Sequence, residues 1–206
     1  MSLREWLFYH QREVAFDKCR WMGLRSLKNP FDAWIYQEIL HDVRPDVVIE
    51  IGSYEGGTTL YLAHLLELIG NGFVVSIDID RSRFLASHPR IHTFTGDSGS
   101  REILDAVRDL CRGKTVLVVH DADHTKDRVL ADLEIYAPLV TVGSYLIVED
   151  GFIDLFEPDD GIGTWTEGPL SAVEEFLTGN PGFVPDRERE RYLITYNPRG
   201  YLRRVS

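Results

Sequence analysis

Cysteine is scarce in this chain: Cys19 and Cys111 are its two, far apart and forming no CxxC. They read most simply as reduced thiols, which places the protein in the cytoplasm. No uninterrupted apolar run approaches the ~20 residues that span a bilayer. The opening Met1-Ser2-Leu3-Arg4-Glu5-Trp6 lacks the apolar segment of a signal peptide. No membrane partner is therefore expected. A basic surplus is missing too: 33 acids stand against 22 basic residues, for a net charge of −11. That balance speaks against a nucleic-acid partner. The arginines gathered between Arg187 and Arg204 are interleaved with glutamates and read as a solvated face.

Internal repeats and domain linkers are also absent. With 206 residues, 44% of them hydrophobic, the chain can bury a substantial core as one domain. Residues 1–30, with Trp6, Phe8, Tyr9, Phe16 and Trp21, read as a helical arm that covers the domain or reaches a neighbouring subunit. Residues 31–206 form the domain itself. The aromatic arm makes a homo-oligomer the expectation.

What is present centres on Val47-Val48-Ile49-Glu50-Ile51-Gly52-Ser53-Tyr54-Glu55-Gly56-Gly57-Thr58. A β-branched run, a glycine turn and the apolar run from Leu60 spell strand, turn, helix. This is the first unit of an open α/β sheet, whose ligands sit beyond the strand's carboxyl end. A nicotinamide fingerprint would read G-x-G-x-x-G, and these glycines do not. An acid before the turn repels a pyrophosphate but suits a ligand bearing ammonium and sulfonium groups, such as S-adenosylmethionine. The plainer alternative is that the glycines only make a tight turn.

Further strands are expected at Phe73–Ile77, Ile91–Thr95, Thr115–Val119 and Tyr145–Val148, and helices at 57–69, 102–111, 125–137 and 168–177. Asp32 is the expected cap of a helix ending at Val43. Phe183-Val184 and Tyr192–Tyr196 read as a closing antiparallel pair. Asp78, after the second strand, stands where an acid binds ribose hydroxyls. Alternatively it, or Asp80, caps the next helix. Asp97 and Ser98 follow the third strand, where adenine would lie, although Ser98 or Ser100 can equally be a plain N-cap.

The densest polar cluster is His120-Asp121-Ala122-Asp123-His124, after the fourth strand, and Glu149-Asp150 follow the fifth. Asp121, Glu149 and Asp150 make a hard-oxygen set suited to Mg²⁺. His124 is a candidate general base, with an ordinary pKa near 6.5. The bland reading has Asp121 and Asp123 as helix caps. A rival reading makes His120, His124 and a carboxylate an iron oxygenase site. A non-catalytic binding module is a third. Residues 151–168, rich in acids and glycine, are an expected lid.

These motifs, with Gly168-Pro169-Leu170-Ser171-Ala172-Val173 and Tyr196-Asn197-Pro198-Arg199-Gly200-Tyr201-Leu202, resemble the cephalosporin hydroxylase family over roughly Trp21 to Arg204. That family is similar to class I S-adenosylmethionine-dependent O-methyltransferases, including rhamnosyl and catechol types. The resemblance implies a Rossmann-like, seven-stranded, mostly parallel sheet with an antiparallel last strand and helices on both faces. It implies cofactor contacts from Glu50, Gly52, Tyr54, Thr58 and Asp78, with Asp121 shared by cofactor and metal. It also implies Mg²⁺ at Asp121, Glu149 and Asp150 and a small-molecule hydroxyl acceptor. The catechol type has a lysine where His124 stands, which leaves His124 or Lys126 as the base.

Overall fold

The structure, a computed structural model, describes residues 1–156 and 167–206. The middle of the expected lid, 157–166, lies outside the described residues. The chain opens with α1 (Leu3–His10), one π-helical turn (Gln11–Ala15) and α2 (Phe16–Lys18), followed by the hairpin β1 (Arg20–Trp21) and β2 (Leu24–Arg25). Helix α3 (Pro30–Val43) leads to β3 (Val47–Ile51), α4 (Gly57–Ile69), β4 (Phe73–Asp78) and β5 (Ile91–Thr95). Then come α5 (Arg101–Cys111), β6 (Val116–His120), α6 (Lys126–Tyr136) and β7 (Tyr145–Val148). Helix α7 (Pro169–Gly179), β8 (Phe183–Pro185) and β9 (Tyr201–Arg204) finish it.

Strands β3 to β9 form one sheet in the order β5-β4-β3-β6-β7-β9-β8. All neighbours are parallel except β9, which runs antiparallel to both β7 and β8. Both faces are covered, as strands buried along their whole length require. Val48, Val74, Leu117 and Ile147 point to the α3–α4 side, where Ile35, Tyr36, Ile39, Leu62 and Leu66 meet them. Val47, Ile49, Val75, Val118 and Leu146 point to the other side, against Val107, Val129, Leu133 and Phe176. The alternation is the period-2 geometry of a strand. The order reverses at β3, so the tips of β3, β4, β6 and β7 border one crevice.

Two expectations need correction. Asp32 does not cap α3; Asn29 does, accepting from the Phe31 N–H, with Pro30 at the first helical position. Asp32 is buried and accepts from the Thr195 hydroxyl (2.5 Å), the Tyr196 N–H (2.8 Å) and the Tyr201 hydroxyl (2.7 Å). Those bonds explain the second correction. Tyr192–Tyr196 is not a strand, because the donors of Thr195 and Tyr196 are directed at Asp32 rather than into a ladder. Tyr201–Arg204 takes the place beside β8 instead.

The amino-terminal arm packs on its own domain. His10 Nδ1 meets the Tyr196 hydroxyl at 2.5 Å, and Trp6 stacks on the His10 ring. Ala15 is buried against Phe152 and Tyr196, whose rings stack on each other. This fixes the π turn beside the tip of β7.

Candidate active site

Gly52 makes the crevice possible. Its φ is +87°, and a Cβ there would stand 2.0 Å from the Asp121 carbonyl oxygen. A side chain would force β3 and β6 apart at the tips. The loop beyond is organised by Asp78: its Oδ2 accepts from the Ser53 N–H (2.8 Å), the Ser53 hydroxyl (2.9 Å) and the Tyr54 N–H (3.1 Å). Its Oδ1 accepts from the Asp80 N–H at 3.0 Å. Burial raises the Asp78 pKa, but the hydrogen bonds from Asp80, Ser53 and Tyr54 outweigh it and hold it below the usual value. Tyr54 sits in the left-handed region at φ 48°, and its hydroxyl accepts from Arg25 and Arg83.

Two cavities meet at this loop. The larger, about 750 Å³, runs along Asp78, Asp80, Asp97 and Ser98. The smaller, about 420 Å³, contains Thr58, His124, Glu149 and Asp150. Gly52, Ser53, Tyr54 and Asp121 border both. Within the larger cavity Asp97 is paired with Arg128, and the Ser98 hydroxyl donates to Asp132 at 2.7 Å. Ser100, not Ser98, caps α5.

Thr58 donates to the Ser26 carbonyl at 3.0 Å, joining α4 to the segment after β2. Glu50 borders neither cavity. It lies under the first turn of α4, where the Thr59 hydroxyl donates to one carboxylate oxygen at 2.5 Å and the other oxygen is buried without a partner. Burial pushes its carboxyl up to about 7, against the lowering effect of Thr59, Ser76 and the Lys28 charge.

The smaller cavity holds a cluster of titratable groups. One ligand atom each from Asp121, His124 and Asp150 lies within 4.8 Å of the others. His124 Nε2 stands 2.9 Å from Asp150 Oδ2. Burial works against a charge on His124, but Asp150, Asp121 and Glu149 outweigh it and raise its pKa to about 9. Asp150 adopts φ 59°, and its N–H donates to Asn197 Oδ1 at 3.1 Å.

Glu149 is outside that set. Its buried carboxylate accepts from the Lys28 ammonium on one oxygen and from the Tyr36 hydroxyl on the other. Burial and then the Asp121 charge raise the Glu149 pKa, with Lys28 opposing. Lys28 Nζ also lies 3.1 Å from Asp121 Oδ2. Burial pulls the Lys28 pKa down, yet Asp121 and Glu149 reverse this, so the ammonium is retained. Nothing in the sequence spacing marks Lys28, whose partners stand 93 and 121 positions away.

The remaining polar residues of the motif separate. Asp123 makes the turn into α6, accepting from Thr125 N–H and hydroxyl at 2.7 Å each. His120 is buried and faces Asp132 at 3.1 Å, so it does not share a site with His124. The two-histidine set needed by the iron reading is therefore not assembled. Lys126 is engaged by Glu167 and Glu175, both at 3.1 Å.

A parallel sheet that reverses at its first glycine loop, an acid at the neighbouring tip and an antiparallel β9 define the class: a Rossmann-like, class I methyltransferase fold. The family model described as Rhamnosyl O-methyltransferase/CmcI matches residues 13–205, and the chain belongs to that family. A rhamnosyl O-methyltransferase of Mycobacterium leprae (strain TN) is 35% identical over 202 residues, covering 94% of this chain and 86% of the relative. One from Mycobacterium tuberculosis (strain ATCC 25618 / H37Rv) is 31% identical over 205 residues, covering 94% and 81%. Among solved structures, CmcI described with Mg and SAM superposes with a TM-score of 0.72 at 24% identity, over 94% of this chain and 79% of that one. CmcI described with SAH gives 0.67 at 22% identity, over 100% and 93%.

Proposed function

We propose that this protein is an S-adenosylmethionine-dependent, Mg²⁺-assisted O-methyltransferase whose acceptor is a hydroxyl of a small molecule, a sugar. The carrying observation is the sharing of Asp121 and the Gly52–Tyr54 loop by two cavities, one of about 750 Å³, roomy enough for a nucleoside, and one holding the Asp121–His124–Asp150 cluster. The cofactor fits the larger cavity. Gly52 leaves the backbone bare at the junction, and Asp78 fixes the loop amides. Hard carboxylate oxygens on Asp121 and Asp150 suit Mg²⁺. Glu149, the third acid of the expected set, is held by Lys28 and Tyr36 and supports the site from behind.

When bound, Mg²⁺ supplies Lewis-acid stabilisation of an acceptor oxyanion. His124 is the base: it takes the hydroxyl proton as the oxygen–methyl bond forms and the sulfur–methyl bond breaks. Asp150 orients the imidazole through the 2.9 Å contact. The apolar residues of the smaller cavity, Ala15, Phe16, Leu27 and Ile153, exclude water that would compete for the methyl group.

The acceptor reading follows the mycobacterial relatives, which are named for a rhamnosyl group. The two free thiols fit a cytoplasmic setting, and no helix among the described residues is long and apolar enough to cross a membrane. The proposed homo-oligomer is checked by native mass measurement. Calorimetry with S-adenosylmethionine tests the cofactor: absence of heat from folded protein removes it. Asp121→Ala should abolish Mg²⁺-dependent methyl transfer to a rhamnoside, and undiminished transfer would make the acids structural.

A further inference from the structure

Gln11 stands on the wall of the smaller cavity together with Asp121, His124 and Asp150. It opens the single π-helical turn Gln11–Ala15 that interrupts α1 and α2. Such turns are frequent at functional sites, where the extra residue re-aims side chains that a regular helix would send elsewhere. Here Gln11 and Ala15 are the buried members of the turn, and both face the cavity. Gln11 is only 7% exposed, and its Oε1 is buried with no hydrogen-bond partner. A buried amide oxygen without a donor is destabilising, and a native structure keeps one where something else satisfies it. The turn is also held rigidly, through His10 on Tyr196 and Ala15 on Phe152 and Tyr196. A recognition group gains selectivity from such anchoring.

We propose that Gln11 is the specificity-determining residue for the acceptor, taking a second hydroxyl of the sugar ring whose first hydroxyl lies at the Asp121–His124–Asp150 cluster. This rests on the sugar methyltransferase reading above. Of the cavity's other neutral polar side chains, Ser53 donates to Asp78, Thr58 to the Ser26 carbonyl and Ser26 to Cys19 Sγ, and Tyr54 accepts from Arg25 and Arg83. Against the apolar Ala15, Phe16, Leu27 and Ile153, the Gln11 amide is therefore the group with an acceptor to spare for a polyhydroxylated ring. Ionic groups are poorly suited to that task, since Arg25 in the same wall is already engaged by Tyr54, Glu55 and Asp17. The ligand class is a pyranoside with a polar edge and an apolar edge, as in a 6-deoxyhexose.

The experiment measures binding rather than turnover. The protein is saturated with S-adenosylhomocysteine and Mg²⁺, and calorimetry follows an aryl α-rhamnoside and its three monodeoxy analogues. Wild type should bind the parent about tenfold more tightly than one particular analogue, the loss expected when a buried polar group is left unpaired. Gln11→Met, close in shape and without the amide, should bind parent and that analogue alike. The same discrimination in wild type and Gln11→Met overturns the assignment and leaves the function standing. Equal binding of the parent and all three analogues by wild type overturns it without any variant. Binding of S-adenosylhomocysteine with no rhamnoside bound at all overturns the sugar reading, and this assignment with it.

Discussion

His124 should give the protein two pH dependences of opposite sign. In the metal-free protein its pKa is raised to about 9, so at pH 7.5 it is an imidazolium bonded to Asp150. A group raised from ~6.5 to ~9 contributes stability that is complete below pH ~6.5 and lost as pH climbs through ~9, with an upper bound of roughly 3 kcal/mol. Burial of Glu50 and Glu149 raises their carboxyl pKa values and works in the same direction, so the His124 share is the difference between wild type and His124→Asn. Mg²⁺ held by Asp121 and Asp150, as proposed above, would reverse the sign, since it would neutralise the carboxylates that raise the histidine pKa and favour release of the ring proton.

Apparent Mg²⁺ affinity should therefore rise almost tenfold per pH unit below 9, or about 50-fold between pH 7 and pH 9. Calorimetric titration of Mg²⁺ at pH 7.5 in phosphate and in Tris, whose ionisation enthalpies differ, counts the protons released; about one is expected. Urea denaturation of metal-free protein across the same range supplies the stability arm. In His124→Asn both slopes should flatten. Mg²⁺ affinity that is level from pH 7 to 9, with heats indifferent to buffer, refutes the reasoning.

Other substitutions probe the framework around that group. Lys28→Met leaves the buried Glu149 beside the half-buried Asp121 without their cation, and should cost about 3 kcal/mol in urea denaturation at pH 8. A loss below ~1 kcal/mol would mean the ammonium is solvated rather than structural. Gly52→Ala places a methyl 2.0 Å from a backbone carbonyl at positive φ, so S-adenosylmethionine binding should vanish and stability fall by roughly 2 kcal/mol or more. Asp78→Asn keeps one acceptor oxygen but loses the charge that gathers four donors, and should weaken cofactor binding about tenfold by calorimetry.

The parallel sheet was legible because its strands are short β-branched runs bounded by turn residues. Val47–Ile51, Ile91–Thr95 and Tyr145–Val148 lie where the pattern puts them. The carboxyl end of the chain was harder. Tyr192–Tyr196 has strand composition, but its backbone is claimed by Asp32, more than 160 positions earlier. Asp32 in turn looks like a helix cap, and only its burial among Thr195, Tyr196 and Tyr201 reveals another role. Local pattern cannot report a partner that distant. The same limit hid Lys28, a lysine before Asn29-Pro30 with no periodicity to mark it, and Gln11, whose orientation depends on a π turn.

The charges of the cluster give its parts an order. Asp121, Glu149 and Asp150 supply three carboxyl groups, that of Glu149 with its pKa raised by burial and the Asp121 charge, and Lys28 and His124 supply two cationic groups. Lys28 is fixed: it is 93% buried in its side chain, bridges Asp121 and Glu149, and has its pKa driven upward by both. His124 carries the exchangeable charge, because a 26%-exposed ring can pass a proton to solvent. Loss of that proton makes the cluster one unit more negative, which would favour a divalent cation. The imidazole is left neutral, the form a general base requires. On the proposed reading the buried lysine would have a role that a further metal ligand would not fill: it would hold the cluster's charge where loading the cation and freeing the base are one event.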